Sequence, residues 1–197
     1  MTLPLSRERA IEIMTSHITN KGLQKHCLAV GYAMKALGEY FKAEDVDLWE
    51  IAGILHDADW EETKDDHSKH TRKTVEWIRQ SANPEAKDET EKLIRIILSH
   101  NCHNNGEKMP ENTTEWSLYT CDELTGIIVA TALILPSKKL ADVRVDSVIK
   151  KFNSKNFAAA VDRDGIRMCE EKLGIPLRDF IAIVLAGMQS GATELGL

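Results

Sequence analysis

Residues of the kinds that bind metal ions occur at separated points of this 197-residue sequence, several of them within apolar patterns. In the stretch GILHDADW, His56 and Asp57 follow directly after an apolar run. His26 and His100 lie at helical spacing from apolar residues, and Asp122 precedes the run LTGIIVATALIL. Because buried imidazoles and carboxylates need polar partners, such groups on separate helices can satisfy one another by binding a cation. The sequence therefore raises the hypothesis of a metal site.

Each of these residues also has an ordinary structural explanation. A single histidine on an apolar helix face, such as His26, is more often a core residue with one hydrogen bond than a metal ligand. A His-Asp pair such as His56-Asp57 occurs often by chance. The metal hypothesis thus depends on the combination: an inward histidine, a His-Asp pair at a helix end, and an inward aspartate further along the chain.

The elements that must position these residues are predicted to be helices, because apolar residues recur with helical periodicity through most of the chain. The predicted helices are one capped by Ser6, then 23–41, one from Asp47 with Glu50 at capping-box spacing, 67–81, 83–100, 114–135, 138–151, 156–173 and 176–190. No alternating strand pattern appears. The sequence predicts one all-α domain over 1–197, with the candidate ligands within 26–122 and a helical extension, 138–197, packed on it.

Composition sets limits on the function. The net charge of -6 argues against broad binding to extended nucleic acid, and the run 124–135 is too short to span a bilayer. Four widely spaced cysteines and an N-terminus that turns charged at once predict a cytoplasmic protein with reduced thiols and no membrane partner. The apolar helix PLRDFIAIVLAGM suits either the core or a dimer contact, so an oligomer remains open.

The ordered set His26, His56-Asp57 and Asp122 resembles the H…HD…D signature of the HD superfamily of metal-dependent phosphohydrolases. The blocks GILHDADW, HSKH, IILSHN, LYTCDELTGIIVATALILP and VIKKFNSKNFAAAVDR resemble a bacterial group of small predicted HD hydrolases, the HDIG-like group. This resemblance implies an enzyme built on a single HD-domain helical bundle.

The resemblance also implies a set of metal ligands. The four signature residues would hold a divalent cation: Mn, Fe, Co, Ni, Zn or Mg. Two further histidines, His67 and His100, match the positions of ligands to a second ion, with Asp57 bridging the two ions. His70 lies one turn from His67 and is predicted to contact the substrate instead.

The catalytic and substrate-binding residues are predicted from their positions relative to these ligands. Many HD phosphohydrolases carry Glu or Lys three residues after the signature aspartate, where this chain has Trp60. Asp59 is therefore the first candidate for the general acid/base, acting with Asp57 in catalysis. Lys155 and Arg163 flank the segment NFAAAV and are predicted to bind the substrate.

Three functions remain open on the sequence. The first is a metal-dependent phosphohydrolase that acts on a small phosphorylated metabolite or nucleotide. The second is an HD-fold oxygenase with a di-iron centre, for which the set of ligands His26, His56, Asp57, His67, His100 and Asp122 is equally suited. The third is a non-catalytic helical module that binds metal.

Overall fold

In the computed structural model, which describes residues 2–197, all regular structure is helical and no strand occurs among those residues. The α-helices are α1 (Arg7–His17), α2 (Lys21–Tyr40), α3 (Val46–Leu55), α4 (Trp60–Thr63), α5 (Arg72–Ser81), α6 (Lys87–His100), α7 (Cys102–Asn105), α8 (Thr113–Leu133), α9 (Val145–Phe152), α10 (Arg163–Lys172), α11 (Leu177–Ser190) and α12 (Ala192–Leu195). A one-turn 3-10 helix, Leu140–Asp142, lies between α8 and α9. The predicted all-α fold is confirmed.

The helix α2 lies at the centre of the bundle. It packs against α3, α8 and α11, while α6 and α10 pack on α8 and α1 packs on α3. Its buried side includes Cys27, Val30, Met34 and Leu37, whose side chains join one hydrophobic cluster with residues of α3, α8 and α11. The helices after residue 138 therefore share their core with those that carry the candidate ligands.

The backbones of α2 and α3 touch where they cross. A Cβ atom on Gly53 would lie 2.7 Å from the Cα and N atoms of Gly31, so only a residue without a side chain fits there. This contact brings the first half of α2 against the end of α3, and the rings of His26 and His56 lie 5.2 Å apart between centroids. A pair of glycines thus sets the spacing of two candidate ligands.

The capping box predicted for the third helix is wrong. The helix α3 begins at Val46, one residue before Asp47, and has no side-chain cap. Glu50 is buried and instead accepts from Arg7 Nε at 2.6 Å and from Lys35 Nζ at 2.7 Å. Its carboxylate joins α1, α2 and α3, because a buried charge requires charged partners.

Other helices are shorter than their patterns predicted. The helix predicted from residue 67 begins only at Arg72, because the preceding residues form turns that end at Thr71 with φ 82°. The predicted helix 156–173 is helical only from Arg163, and the predicted helix 138–151 is split into a 3-10 turn and α9. These turns alter which side chains reach the candidate site.

Within residues 2–197, no single helix has the length and apolar character that crossing a membrane requires. The pair α10 and α11 meets that test only when combined, and the two helices are bent by 105° relative to each other. All four cysteines are buried and free of disulfides.

Candidate metal centre

The candidate ligands come from five separate segments. His26 lies on α2, His56 and Asp57 in the turn after α3, His70 in the turn before α5, His100 at the end of α6, and Asp122 on α8. Their side chains form two adjacent groups, His26 with His56 and Asp122, and Asp57 with His70 and His100.

In the first group, two imidazole nitrogens face one carboxylate oxygen. The Oδ1 atom of Asp122 lies 3.0 Å from His26 Nε2 and 3.4 Å from His56 Nε2. The Oδ2 atom of Asp57 lies 3.7 Å and 3.5 Å from the same two nitrogens. These four residues are those of the H…HD…D signature.

In the second group, the other oxygen of Asp57 faces two more imidazoles. Its Oδ1 atom lies 3.0 Å from His70 Nε2 and 3.6 Å from His100 Nε2, and those two nitrogens are 3.2 Å apart. Asp57 therefore presents one oxygen to each group, as a carboxylate that bridges two ions does.

The orientation of each ring is fixed through its Nδ1 atom. His56 Nδ1 donates to the Gly53 carbonyl at 2.8 Å, and His100 Nδ1 donates to the Ile97 carbonyl at 2.6 Å. His26 Nδ1 lies 3.4 Å from the hydroxyl oxygen of Thr125. An Nδ1–H that is bound in this way leaves the Nε2 lone pair free to point at a cation.

His70 is oriented by Asp59, which is fully buried. Asp59 Oδ1 accepts from His70 Nδ1 at 2.7 Å and from the Thr71 amide at 3.0 Å. Its Oδ2 accepts from the amides of Lys73 at 3.0 Å and Thr74 at 3.2 Å. One carboxylate thus satisfies the first amides of α5 and fixes the ring of His70.

A comparison with protein families agrees with this geometry. The family model described as HD domain matches residues 23–132, more than half of the chain. The chain belongs to the HD-domain family. HD domains bind divalent metal ions and are mostly metal-dependent hydrolases. No curated protein and no solved structure matches the chain.

The structure places His70, and not His67, in the second ligand group of this HD domain. His67 is exposed, and its ring lies edge-on to Trp60 at 4.9 Å between centroids. The turn before α5 directs His70 inward, where Asp59 binds it, whereas His67 lines the cleft without joining either ligand group. The roles predicted for the two histidines, ligand for His67 and substrate contact for His70, therefore differ from this geometry.

Three further predicted roles also differ from the geometry. Asp59 was predicted to be the general acid/base. Both of its oxygens accept hydrogen bonds and it lies outside the cleft, so its role in this geometry is to position His70. Arg163 uses its guanidinium to donate to backbone carbonyls, including those of Phe152 at 2.8 Å and Val161 at 3.2 Å. Lys155 is exposed and does not line the cleft.

The two ligand groups lie in the wall of a cleft of about 570 Å³. Beyond the ligands, its walls include Leu23, Trp60, His103, Tyr119, Glu123 and Asp162. No lysine or arginine among residues 2–197 lines it. The sequence analysis did not predict Tyr119, Glu123 or Asp162 as site residues. Their only signals in the sequence are positions: Tyr119 and Glu123 lie within one helical turn of Asp122, and Asp162 caps α10.

The electrostatics of the HD site favour positive charge. Although burial opposes ionisation, the facing imidazoles hold the pKa values of Asp57 and Asp122 below the usual carboxyl range. Burial also opposes protonation of His56 and His70, but the carboxylates raise the pKa of each to about 9. Burial together with Asp122 raises the pKa of Glu123 to about 7.

The donor set fits a divalent metal ion. His56 Nε2 is fully buried and has no hydrogen-bond partner among residues 2–197, although it lies within reach of two carboxylates. A buried polar nitrogen without a partner is costly, and a cation between it and the carboxylates removes that cost. Mixed imidazole and carboxylate donors are typical of Mn, Fe, Co, Ni and Zn sites.

Proposed function

We propose that this HD-domain protein is a metal-dependent phosphohydrolase that acts on a small phosphorylated metabolite or nucleotide. The observation that carries the proposal is the bridging geometry of Asp57, whose two oxygens face two separate groups of histidines. This arrangement suits two ions held side by side, which is a recurrent solution for cleaving phosphate esters.

When bound, such ions lower the pKa of water and polarise phosphoryl oxygens. The protein's own residues hold the donor atoms in place: backbone carbonyls fix His56 and His100, and Asp59 fixes His70. Trp60 and Leu23 line the same cleft and supply apolar surface beside these groups.

The lining and the volume of the cleft indicate how a phosphorylated substrate is bound and how large it is. Phosphoryl groups need positive charge around their oxygens, and Lys or Arg usually supplies part of it. Because the described walls of this cleft contain neither, the charge must come from the ions and from imidazoles such as His103. A cleft of about 570 Å³ is in the range that suits a small-molecule substrate.

The test is a metal analysis of the purified protein followed by a screen of nucleotides and sugar phosphates with each divalent ion. We expect phosphate release that depends on metal and disappears in Asp57→Asn. Asp66→Asn is the matched control, because Asp66 is an exposed aspartate outside both ligand groups. Undiminished phosphate release by Asp57→Asn would rule out the proposed site.

The same geometry favours one second candidate, an oxygenase with a di-iron centre. Four imidazoles and a carboxylate that faces both groups form a nitrogen-rich donor set suited to iron. Purification without oxygen, iron analysis and measurement of oxygen consumption distinguish it from a hydrolase. Bound metal with neither phosphate release nor oxygen consumption would instead favour a non-catalytic metal-binding module.

A further inference from the structure

An apolar groove of about 410 Å³ adjoins the metal cleft. Most of its lining is apolar, namely Ala29, Val129, Ala130, Leu133, Leu195 and Leu197, and it also includes Gly22 and one charged residue, Lys25. The groove and the cleft share two wall residues, the ligand His26 and Gly126. The inner end of the groove therefore lies at a candidate metal ligand.

Gly126 has no packing reason to be glycine. It lies inside the 21-residue helix α8, where glycine is less stable than alanine. A Cβ atom there would meet no atom within 4 Å, whereas at Gly53 it would meet the backbone of Gly31. Because Gly126 lines both cavities, the missing side chain leaves space between them.

The outer end of the groove is also apolar. It follows α8 from Gly126 to Leu133, which is about 10 Å at the rise of a helix. Leu133 is 49% exposed, and the neighbouring Ile134 is 53% exposed. Apolar surface next to a binding cleft is typical of a ligand-binding groove.

We propose that this groove binds the apolar part of a substrate whose phosphoryl group lies at the metal centre. The substrate class is then a phosphate ester that carries an alkyl chain or an apolar ring. This inference rests on the proposed function for the head group alone. A small molecule is the occupant that fits, because the groove shares His26, a candidate metal ligand, with the cleft.

The test measures binding of n-alkylphosphonates, whose C–P bond resists hydrolysis, to the metal-loaded protein by calorimetry. From ethyl to octyl we expect affinity to rise by up to about fourfold per buried methylene. Gly126→Leu fills the passage and should flatten this dependence. Because Gly126 also lines the cleft, the quantity compared between proteins is the change in affinity per methylene and not the affinity for ethylphosphonate itself. Gly126→Ala is the matched control and should keep the dependence, because its Cβ meets no neighbour.

Two results would overturn the groove assignment. One is affinity that does not depend on chain length in the wild type, and the other is an equal dependence in Gly126→Leu. A dimer that dissociates on Leu133→Asp would also overturn it, because a second copy would then cover the groove.

Failure of the proposed function gives a different result. In that case phosphate esters are not turned over, or the phosphonates do not bind. The groove is then tested with n-octanol, which has no phosphoryl group, through amide shifts of Val129, Ala130 and Leu133. Shifts that Gly126→Leu reduces support the groove without the phosphohydrolase, and their absence in the wild type overturns the groove as well.

Discussion

Replacing the buried Asp59 by asparagine tests whether one carboxylate both begins α5 and orients a metal ligand. The asparagine keeps the shape but replaces one oxygen by an amide nitrogen. That nitrogen must face either His70 and Thr71 or Lys73 and Thr74, which are all donors in the wild type. Two hydrogen bonds to a charged group are lost whichever way the side chain turns.

The expected loss of stability follows from those two bonds. At about 1.5 kcal/mol each, the lower end for bonds to charged groups, the free energy of unfolding falls by about 3 kcal/mol. Burial opposes the charge of Asp59, yet its donors lower its pKa, so the native carboxylate is ionised at neutral pH. Urea denaturation of wild type and Asp59→Asn in the presence of a chelator measures this difference.

The same substitution should weaken one metal site selectively. Loss of the partner that orients a ligating histidine typically lowers metal affinity by about ten- to a hundredfold. We therefore expect this loss for the ion at Asp57, His70 and His100, and little change for the ion at His26, His56 and Asp122. Metal titration under matched conditions measures both affinities.

The control is Asp45→Asn, another buried aspartate with polar partners. Asp45 accepts from Trp49 Nε1 at 3.2 Å and pairs with Lys92, and it belongs to neither ligand group. Its replacement should lower stability and leave both metal affinities intact. The reasoning is refuted if Asp59→Asn binds both ions like wild type, or if Asp45→Asn loses the same ion.

Three further results are expected. His70→Ala should lose one of two bound ions while His67→Ala keeps both, and metal analysis showing the reverse would contradict the ligand assignment. Gly53→Ala should lower the free energy of unfolding by about 2 kcal/mol or more, because its Cβ would lie 2.7 Å from Gly31 backbone atoms. If denaturant unfolding gives this variant the stability of the wild type, the close contact of α2 and α3 is contradicted. Burial opposes the charge of His56, but its carboxylate neighbours raise its pKa to about 9. The resulting stabilisation of the metal-free protein is complete below the ordinary pKa, about 6.5, and is lost as pH rises through the native value; thermal scans showing higher stability at pH 9 than at pH 7 would contradict it.

Patterns local to one helix predicted most of the fold and part of the site. The apolar stripe of α2 indicated that His26 points inward, and the His-Asp pair stood at the end of an apolar run, as the structure has them. Ser6 was predicted to cap α1, and its side chain accepts from the Arg9 amide at 3.1 Å. Such features depend on neighbours within a few residues, which periodicity and capping preferences describe.

Features set by turns and distant partners were not predictable in this way. The choice between His67 and His70 depends on a turn in which Thr71 takes a positive φ and Asp59 binds His70 from eleven residues away. The Arg163 side chain has the charge of an anion binder, but carbonyls of the preceding loop occupy it. Sequence spacing carries no information on which carbonyls a folded loop turns inward.

The ligands of the candidate centre span residues 26 to 122 and come from five segments. In an unfolded chain these side chains are far apart, so an ion binds the native state and has almost no affinity for the unfolded state. At a hundred times its dissociation constant, such an ion adds about 2.7 kcal/mol to the free energy of unfolding. Resistance to proteolysis therefore depends on how much metal the surroundings supply, and scarcity shortens the lifetime of the protein before any question of catalysis arises.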